Sequence, residues 1–263
     1  MHTAALAELG LAGEWSYEAI EVAPQDFAGC VAALASEGFA GANVTVPHKL
    51  AALAIADRAS AAAREIGAAN TLSFAAETVA AENTDATGLI DSLPGAPAGK
   101  RALVLGAGGS ARACVWALRE AGAEVAIWNR TSVKAERLAQ EFGVDVADAD
   151  TSQDNLALAG FDLLVNATTV GLADANPPAS EAGAASGALK GLPIDADAIS
   201  ETHVVVDLVY GSVPTPLTSA AQRRGACAVD GLEILVRQGA ASLRMWTGLE
   251  PPLETMRQAA RGN

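Results

Sequence analysis

The amino-acid sequence predicts an α/β fold with two domains. From residue 16 onward, strand-like and helix-like stretches alternate, which indicates a sheet flanked by helices. A stretch rich in proline and glycine, from Ser92 to Arg101, interrupts this alternation and is typical of a connector. A second alternating unit follows it. With 51% hydrophobic residues among 263, the chain is large enough to fill two separate cores.

The first unit is expected to contain short strands, together with helices that end at glycines. A helix over 1–9 ends at Gly10, and a helix over 24–37 ends at Gly38, where a left-handed residue stops a helix easily. Further helical segments cover 48–66. The expected strands of this unit are 16–22, 42–46, 70–74 and 78–81.

The second unit begins with a buried strand that runs into a glycine turn and then a helix, between Ala102 and Ala113. Further strands are expected at 124–128, 161–166, 203–209 and 226–229. The stretch 173–198, rich in Ala, Pro, Gly and Asp, is predicted to be a surface excursion of low structural content. A last helix, 231–245, has an apolar face.

The composition argues against several classes of partner. A formal net charge of -14 disfavours nucleic acid and anionic membrane surfaces, because both require clustered positive charge. No apolar run is long enough for a bilayer and no secretory leader pattern opens the chain, so we expect a soluble, cytoplasmic protein. Cys30, Cys114 and Cys227 are expected to be small core residues, and no cluster of metal ligands is visible.

Gly106, Gly108 and Ala111 form a phosphate-binding fingerprint of the type G-x-G-x-x-A. The first glycine permits a tight turn, the second lets backbone N–H groups approach a pyrophosphate, and the small third residue lets helix and strand pack closely. The helix N-terminus adds a favourable dipole for that anion. With a strand before it, a helix after it and a second strand at 124–128, the motif predicts a Rossmann-like, doubly wound domain that binds a dinucleotide.

The residues after the second strand indicate which dinucleotide is bound. A site selective for NAD usually carries Asp or Glu there, whereas this chain has Asn129, Arg130, Thr131 and Ser132. The guanidinium of Arg130 can pair with a 2′-phosphate, and the neighbouring hydroxyls can add hydrogen bonds. The sequence therefore favours NADP over NAD. The alternative is that these residues merely start the following helix.

Lys49 is the candidate for chemistry in the first unit. It ends the segment G-A-N-V-T-V-P-H-K, 41–49, just beyond a strand whose ladder Pro47 cannot continue. Ligands bind at the carboxyl ends of strands in open α/β sheets. The chain has only four lysines, so this one does not reflect a lysine-rich composition. The alternative is a solvated lysine that opens the next helix.

Six segments together resemble the shikimate dehydrogenase family in their order and spacing. They are N-V-T-V-P-H-K (43–49), G-A-A-N-T-L (67–72), E-N-T-D-A-T-G (82–88), G-A-G-G-S-A-R (106–112), N-R-T (129–131) and D-G-L-E-I-L-V-R-Q (230–238). The match runs from the first residues to about Gly248. The ordered set is far more specific than any one segment.

This resemblance implies NADP-dependent reduction of 3-dehydroshikimate to shikimate in aromatic amino-acid biosynthesis. It implies a discontinuous substrate domain, 1–86 with 231–263, and a Rossmann NADP-binding domain, 87–230. The family's catalytic lysine corresponds to Lys49 and its paired aspartate to Asp85. The substrate-binding positions it implies are Thr45, Asn70, Asp85, Tyr210 and Gln238. The expected cofactor-binding residues are Gly106, Ala107, Gly108, Gly109, Ser110, Ala111, Asn129, Arg130, Thr131, Asn166, Ala167, Thr168 and Gly231.

The chemistry of a ketone reduction agrees with these roles. Hydride delivery leaves negative charge on the oxygen, so a proton donor such as Lys49 must lie beside it. Asp85 can hold the ammonium, or it can act as N-cap of the helix around 87–93. Gln238 shares an apolar helix face and needs partners, either in the protein or in a ligand. His48 is the rival donor, but its side chain is expected to point away from Lys49.

One part of the family pattern is missing from this chain. Family members begin with a strand and a paired-serine segment that binds the substrate carboxylate, and Met1 to Thr3 match the residues just after those serines. We therefore expect the protein to start upstream, with a strand inside the substrate-domain sheet. Two further functions stay open: a quinate/shikimate dehydrogenase with relaxed substrate or cofactor choice, and a non-catalytic NADP-binding sensor. Either a monomer or a homodimer is compatible with the sequence.

Overall fold

The computed structural model describes residues 1–75, 78–147, 155–175 and 189–262. The chain divides into two compact units, one formed by Met1–Asp91 with Leu235–Asn263 and the other by Ser92–Ile234. Each unit has its own sheet. In the described residues, no helix combines the length and the apolar character that crossing a bilayer requires.

The first unit is built on a short mixed sheet. Its strands are β1 (Gly41–Asn43), β2 (Arg58–Ala59), β3 (Thr71–Ala75) and β4 (Thr78–Glu82). The order is β1-β3-β4-β2, with β3 antiparallel to both of its neighbours and β2 parallel to β4. The helices before the connector are α1 (His2–Glu8), α2 (Phe27–Ser36), α3 (Lys49–Ala54), α4 (Ala61–Ile66) and α5 (Thr84–Ser92).

The second unit is a parallel sheet with helices between its strands. Its strands are β5 (Arg101–Leu105), β6 (Glu124–Trp128), β7 (Asp145–Val146), β8 (Leu163–Asn166), β9 (Val204–Asp207) and β10 (Cys227–Val229). The helices are α6 (Gly109–Glu120), α7 (Ser132–Phe142), α8 (Leu172–Ala175) and α9 (Pro216–Arg223). Two further helices follow: α10 (Gly231–Thr247) begins in this unit, with its residues from Leu235 onward in the first unit, and α11 (Leu253–Arg261) belongs to the first unit.

The order of the parallel strands, β10-β9-β8-β5-β6-β7, makes the second unit doubly wound. The first strand of the unit, β5, lies inside the sheet, and the chain runs outward from it in both directions. Such a reversal creates a crevice at the carboxyl ends of the strands, where open α/β sheets bind ligands. This is the fold class that the sequence predicts.

Apolar side chains fix each sheet and its helices. In the first unit, Phe27 and Val31 of α2 pack with Leu72 and Val79 of the sheet. A separate cluster joins the terminal helices, with Leu6 of α1 among its members. In the second unit all four of residues 102–105 are fully buried, because β5 has strands on both sides and helices on its faces.

Two strand predictions for the first unit are wrong. Residues 16–22 form no strand, and β1 covers only Gly41–Asn43 of the expected 42–46. β1 is an edge strand of the sheet, and a cavity of about 350 Å³ lies between it, the segment 16–22 and α2. A strand needs a hydrogen-bonded neighbour, and the alternation of side chains in 16–22 does not provide one.

Two other predictions need correction. Of the three cysteines, Cys114 is buried, but Cys30 is half-buried and Cys227 is exposed at the start of an edge strand. The stretch 173–198 is not wholly a surface excursion, since Leu192 and Ile194 are buried in the core of the second unit. Residues 176–188 of that stretch lie outside the described residues.

Candidate active site

Lys49 and Asp85 form a buried ion pair in the first unit. Val46 and Pro47 form a turn after β1, and Lys49 is the first residue of α3. Asp85 lies in the first turn of α5, just after β4. The Nζ of Lys49 lies 2.5 Å from Oδ2 of Asp85, and both residues are buried. Burial of both charges makes each dependent on the other, because an unpaired charge there would lack solvation.

Asn70 holds the second oxygen of this carboxylate. Its Nδ2 donates to Oδ1 of Asp85 at 2.8 Å and to Oε1 of Gln238 at 3.1 Å. Its own Oδ1 accepts from the backbone N–H of Thr84 at 2.7 Å. Asn70 precedes β3 and Thr84 opens α5, so this side chain ties the two elements together beside the ion pair. The carboxylate is thereby oriented from both of its oxygens.

Gln238 joins the network from α10. It is 9% exposed, its Oε1 accepts from Asn70, and its Nε2 donates to the carbonyl of Leu235 at 3.0 Å. We expected hydrogen-bond partners for Gln238 either in the protein or in a ligand, and the structure shows partners within the protein. The other implied substrate residues, Thr45 after β1 and Tyr210 after β9, are both exposed, and they belong to different units.

Neither alternative role for the residues beside Lys49 is present. Asp85 does not act as N-cap of α5, since Oδ1 of Asn83 accepts from the backbone N–H of Ala86 at 3.3 Å. The ring of His48 stacks on Phe27 with centroids 4.6 Å apart, and its Nε2 lies 2.9 Å from the carbonyl oxygen of Val22. The side chain of His48 is therefore engaged away from Lys49, as predicted.

The glycine turn of the second unit joins β5 to α6. Gly106 has φ +118, and a Cβ there would approach the carbonyl oxygen of Ala167 to 2.9 Å. Gly108 precedes α6 and a Cβ there would meet no protein atom within 4 Å. The first turn of α6 has no side-chain cap. These features fit a phosphate group, because backbone N–H groups are available and no side chain fills the space before them.

Arg130 lies two residues beyond the end of β6, the strand that pairs with β5, after which the glycine turn comes. Its side chain is exposed, and it forms no ion pair with any residue that the structure describes. Asn129 donates from Nδ2 to the carbonyl of Thr131 at 3.0 Å, which shapes the turn into α7. The arrangement suits a phosphate attached to a ribose, since a guanidinium is presented on a fixed turn.

The loop after β8 completes the expected cofactor site. Asn166 ends β8 and accepts at Oδ1 from the N–H and the hydroxyl of Thr168 at 3.1 and 2.7 Å. Ala167 donates its N–H to the carbonyl of Leu105 at 2.9 Å, so the loop lies against the glycine turn. Gly231 begins α10, where a Cβ would come within 2.7 Å of the carbonyl oxygens of residues 208 and 209.

Comparison with known proteins decides the family. Family models match at residues 1–72 ("Shikimate dehydrogenase substrate binding domain"), 90–173 ("Shikimate / quinate 5-dehydrogenase") and 231–261 ("Shikimate 5'-dehydrogenase C-terminal domain"). The shikimate dehydrogenase (NADP(+)) of Acidiphilium cryptum is 40% identical over 97% of this chain and 87% of that protein. The chain belongs to the shikimate dehydrogenase family.

Solved structures agree with this family and with the two-domain α/β fold. Shikimate 5-dehydrogenase from Thermus thermophilus, in complex with NADP(H) and shikimate, has a TM-score of 0.82 and 39% identity, covering 99% of this chain and 92% of that one. The ligand-free 5-ketofructose reductase of a Gluconobacter species has a TM-score of 0.81 and 30% identity, covering 98% and 91%. The predicted family and fold class are confirmed.

Two polar side chains near the candidate sites, those of Asn43 and Asp207, were not predicted from the sequence to have a role. Asn43 donates from Nδ2 to Oγ of Ser242 at 2.9 Å and accepts from the hydroxyl of Tyr17 at 3.0 Å, linking β1 to α10. Asp207 ends β9 beside Asn166. Asn43 lies in the same segment, 43–49, as Lys49, and this position is the sequence signal that could have identified it.

Among the described residues, no group of three or more His, Cys, Asp or Glu is arranged to hold a metal ion.

Proposed function

We propose that this chain catalyses the NADP-dependent reduction of 3-dehydroshikimate to shikimate. The observation that carries the proposal is the buried pair of Lys49 and Asp85, 2.5 Å apart and held by Asn70, in a member of the shikimate dehydrogenase family. Relatives that are named for this activity with NADP, and a neighbour solved with NADP(H) and shikimate, support it.

Lys49 is the proton donor in this reaction. When bound, NADPH supplies a hydride to the carbonyl carbon of the substrate. The ammonium of Lys49 gives a proton to the carbonyl oxygen as negative charge develops there, which produces the hydroxyl, and solvent later restores the proton. Asp85 keeps the ammonium oriented, because its Oδ2 accepts from Nζ and its Oδ1 is fixed by Asn70.

The polar groups assigned to the substrate provide the specificity for a hydroxylated ring. Asn70 contacts the carboxylate of Asp85 and Gln238 contacts Asn70, while Thr45 and Tyr210 carry exposed hydroxyl groups. A site built to hydrogen-bond hydroxyls rejects analogues that lack them, since its own buried polar groups would then be unpaired. We therefore assign Thr45, Asn70, Asp85, Tyr210 and Gln238 to substrate binding.

NADP is assigned to the second unit. The turn Gly106–Ala111 with the N-terminus of α6 holds the pyrophosphate, and the segment Asn129–Thr131 holds the 2′-phosphate. The loop Asn166–Thr168 and Gly231 line the remaining part of the site. The absence of Asp or Glu at 129–132 favours NADP, because a carboxylate there would repel the extra phosphate.

The test is shikimate-dependent reduction of NADP, followed by absorbance. Quinate and NAD form parallel arms, and NADPH oxidation by 5-ketofructose forms another, since one structural neighbour is a reductase of that sugar. Activity confined to shikimate with NADP is expected. Turnover of quinate or use of NAD at similar rates favours the relaxed quinate/shikimate enzyme, and turnover of 5-ketofructose alone refutes the proposal.

The variant Lys49→Ala separates an enzyme from a non-catalytic NADP-binding sensor. It is expected to lower kcat by about a hundredfold to ten-thousandfold, the usual contribution of a positioned proton donor, while NADP binding is kept. Lys100→Ala is the matched control, since Lys100 belongs to neither site and precedes β5. Wild-type protein that binds NADP but turns over none of the substrate and cofactor combinations is a sensor.

A further inference from the structure

We propose that Asp207 is a positioning residue that orders the cofactor-binding loop 166–170 through the side chain of Asn166. The inference rests on the proposed role of that loop in binding NADP. Asp207 and Asn166 are register partners at the carboxyl ends of β9 and β8, and both are fully buried. Asp207 has no assigned part in catalysis, so a buried carboxylate at this place needs a reason.

The carboxylate favours one orientation of the Asn166 amide. Nδ2 of Asn166 donates to Oδ1 of Asp207 at 2.8 Å, and it also donates to the carbonyl of Val170 at 3.2 Å. An ionised carboxylate only accepts hydrogen bonds, so the NH₂ end of the amide must face it and the oxygen end is left to face Thr168. That oxygen accepts from the N–H and the hydroxyl of Thr168, and Oγ1 of Thr168 accepts from the N–H of Val170 at 3.0 Å.

The ordered loop touches the glycine turn. The N–H of Ala167 donates to the carbonyl of Leu105, and the carbonyl oxygen of Ala167 would lie 2.9 Å from a Cβ on Gly106. A change in the loop therefore changes the space available to the pyrophosphate. Through Asn166, Asp207 acts on that space without touching a ligand itself.

The other contacts of Asp207 also use the carboxylate as an acceptor. Oδ1 accepts from the N–H of Val209 at 3.0 Å, and Oδ2 accepts from the hydroxyl of Thr215 at 2.6 Å. Three donors thus converge on one carboxylate, and a proton on either oxygen turns one acceptor into a donor. Burial raises the pKa of Asp207 to about 6, against the effect of these hydrogen bonds. The network is therefore intact at neutral pH and is perturbed below about pH 6.

Few other charges face this carboxylate. A cavity of about 10 Å³ next to it is lined by two further titratable groups, Asp174 of α8 and Lys190. From α9 and the residue before it, the cavity receives Thr215, Pro216 and Leu217, which do not titrate. On β10 the titratable Cys227 is exposed and pairs with Val204, at the other end of β9.

The test measures NADP affinity by fluorescence titration for wild type and Asp207→Asn, from about pH 8 to about pH 5. An amide at 207 can offer one acceptor oxygen where the carboxylate offers two, so affinity at about pH 8 is expected to fall roughly tenfold. The ratio of the two affinities is expected to shrink below about pH 6, where wild-type Asp207 gains its proton. The 2′-phosphate of NADP itself titrates at about pH 6 and changes the affinity of both proteins. We therefore compare the ratio of the two affinities, in which this common effect cancels.

Coupling to Asn166 distinguishes positioning from general support of the fold. In the Asn166→Ala background, Asp207→Asn is expected to have no further effect on NADP affinity, since the side chain that transmits it is gone. Asp197→Asn, an exposed carboxylate in the same unit, is the matched control and should leave affinity unchanged. If Asp207→Asn does not fold, the pH profile of Asn166→Ala against wild type provides the same comparison.

Three results are decisive. Equal NADP affinity of Asp207→Asn and wild type at every pH overturns the inference and leaves the proposed function standing. Additive effects of the two substitutions show that Asp207 does not act through Asn166 and also overturn it. Wild-type protein that binds no NADP at all refutes the proposed function, and with it this inference.

Discussion

The Nζ of Lys49 and Oδ2 of Asp85 lie 2.5 Å apart in a part of the first unit that is closed to most solvent. The pair joins the start of α3 to the first turn of α5, two elements that are otherwise separated by β2, α4 and both central strands. The proposed reaction centre is thus also a tertiary contact. Substitutions here change stability as well as rate, and the two effects must be measured separately.

The ion pair predicts a stability defect that a second substitution repairs. Asp85→Asn leaves the buried ammonium of Lys49 without its counter-charge, and removal of one partner from a buried pair costs about 3 kcal/mol. Adding Lys49→Met to that variant removes the stranded charge and is expected to recover most of the loss. Urea unfolding of the three proteins checks this, and an Asp85→Asn variant as stable as wild type would contradict it.

The two glycines of the turn provide a matched pair. Gly106→Ala places a Cβ 2.9 Å from a backbone oxygen at a positive φ, so we expect lower stability, by roughly 1 to 3 kcal/mol, together with weaker NADP binding. Gly108→Ala meets no protein atom and is expected to fold like wild type while NADP affinity falls, because the methyl group enters the phosphate space.

Thermal unfolding and NADP titration on both variants separate the two effects. Unchanged NADP affinity in a folded Gly108→Ala protein would show that the pyrophosphate does not lie at this turn.

We expect Arg130 to determine the preference for NADP over NAD. Arg130→Ala removes the guanidinium that we assign to the 2′-phosphate, and loss of a charged hydrogen bond is worth about 1.5 to 3 kcal/mol, or roughly a tenfold to hundredfold weaker affinity for NADP. NAD lacks that phosphate, so its affinity should not change. Arg223→Ala, an exposed arginine on α9, is the control. Equal losses for NADP and NAD would exclude the proposed contact.

His2 predicts a loss of stability in mild acid. Burial lowers the pKa of His2 to about 4, although its hydrogen bond to the carbonyl of Gly239 acts in the other direction. The folded protein thus binds this proton less readily than the unfolded chain, so the contribution is complete above about pH 6.5 and is lost as the pH falls through about 4. The expected total loss in the free energy of unfolding is about 3 kcal/mol.

The measurement is the difference in unfolding free energy between wild type and His2→Gln across this range of pH. The difference is needed because Asp207 acts with the opposite sign: its raised pKa destabilises the fold as the pH rises from about 4 through about 6. Parallel curves for the two proteins would show that His2 does not titrate in the folded state.

Local patterns made the second unit predictable. The strand β5, the turn at Gly106 and the helix α6 follow one another directly, so their chemistry can be recognised without knowing what packs against them. Lys49 was also found locally, from its place after a strand and Pro47. Its pairing with Asp85 came from family resemblance, since 36 residues separate the two and no period in the sequence relates them.

Contacts between distant segments account for what was missed. The segment 16–22 alternates like a strand, but pairing depends on a neighbour that its own residues do not specify. The bond between Asn166 and Asp207 joins residues 41 positions apart and exists only because β8 and β9 are adjacent and in register. In the sequence alone, Asp207 is an ordinary polar residue at the end of an apolar strand.

The short edge strand β1 has a consequence for how the site behaves on warming. Thr45 and Lys49 follow a strand of three residues with one hydrogen-bonded neighbour, whereas the glycine turn follows a strand paired on both sides. Edge strands open at lower free energy than central ones and exchange their amide hydrogens sooner. As the temperature rises, KM for the substrate should therefore increase before the affinity for the cofactor falls. Amide hydrogen exchange in 41–46 should accelerate over the same range of temperature.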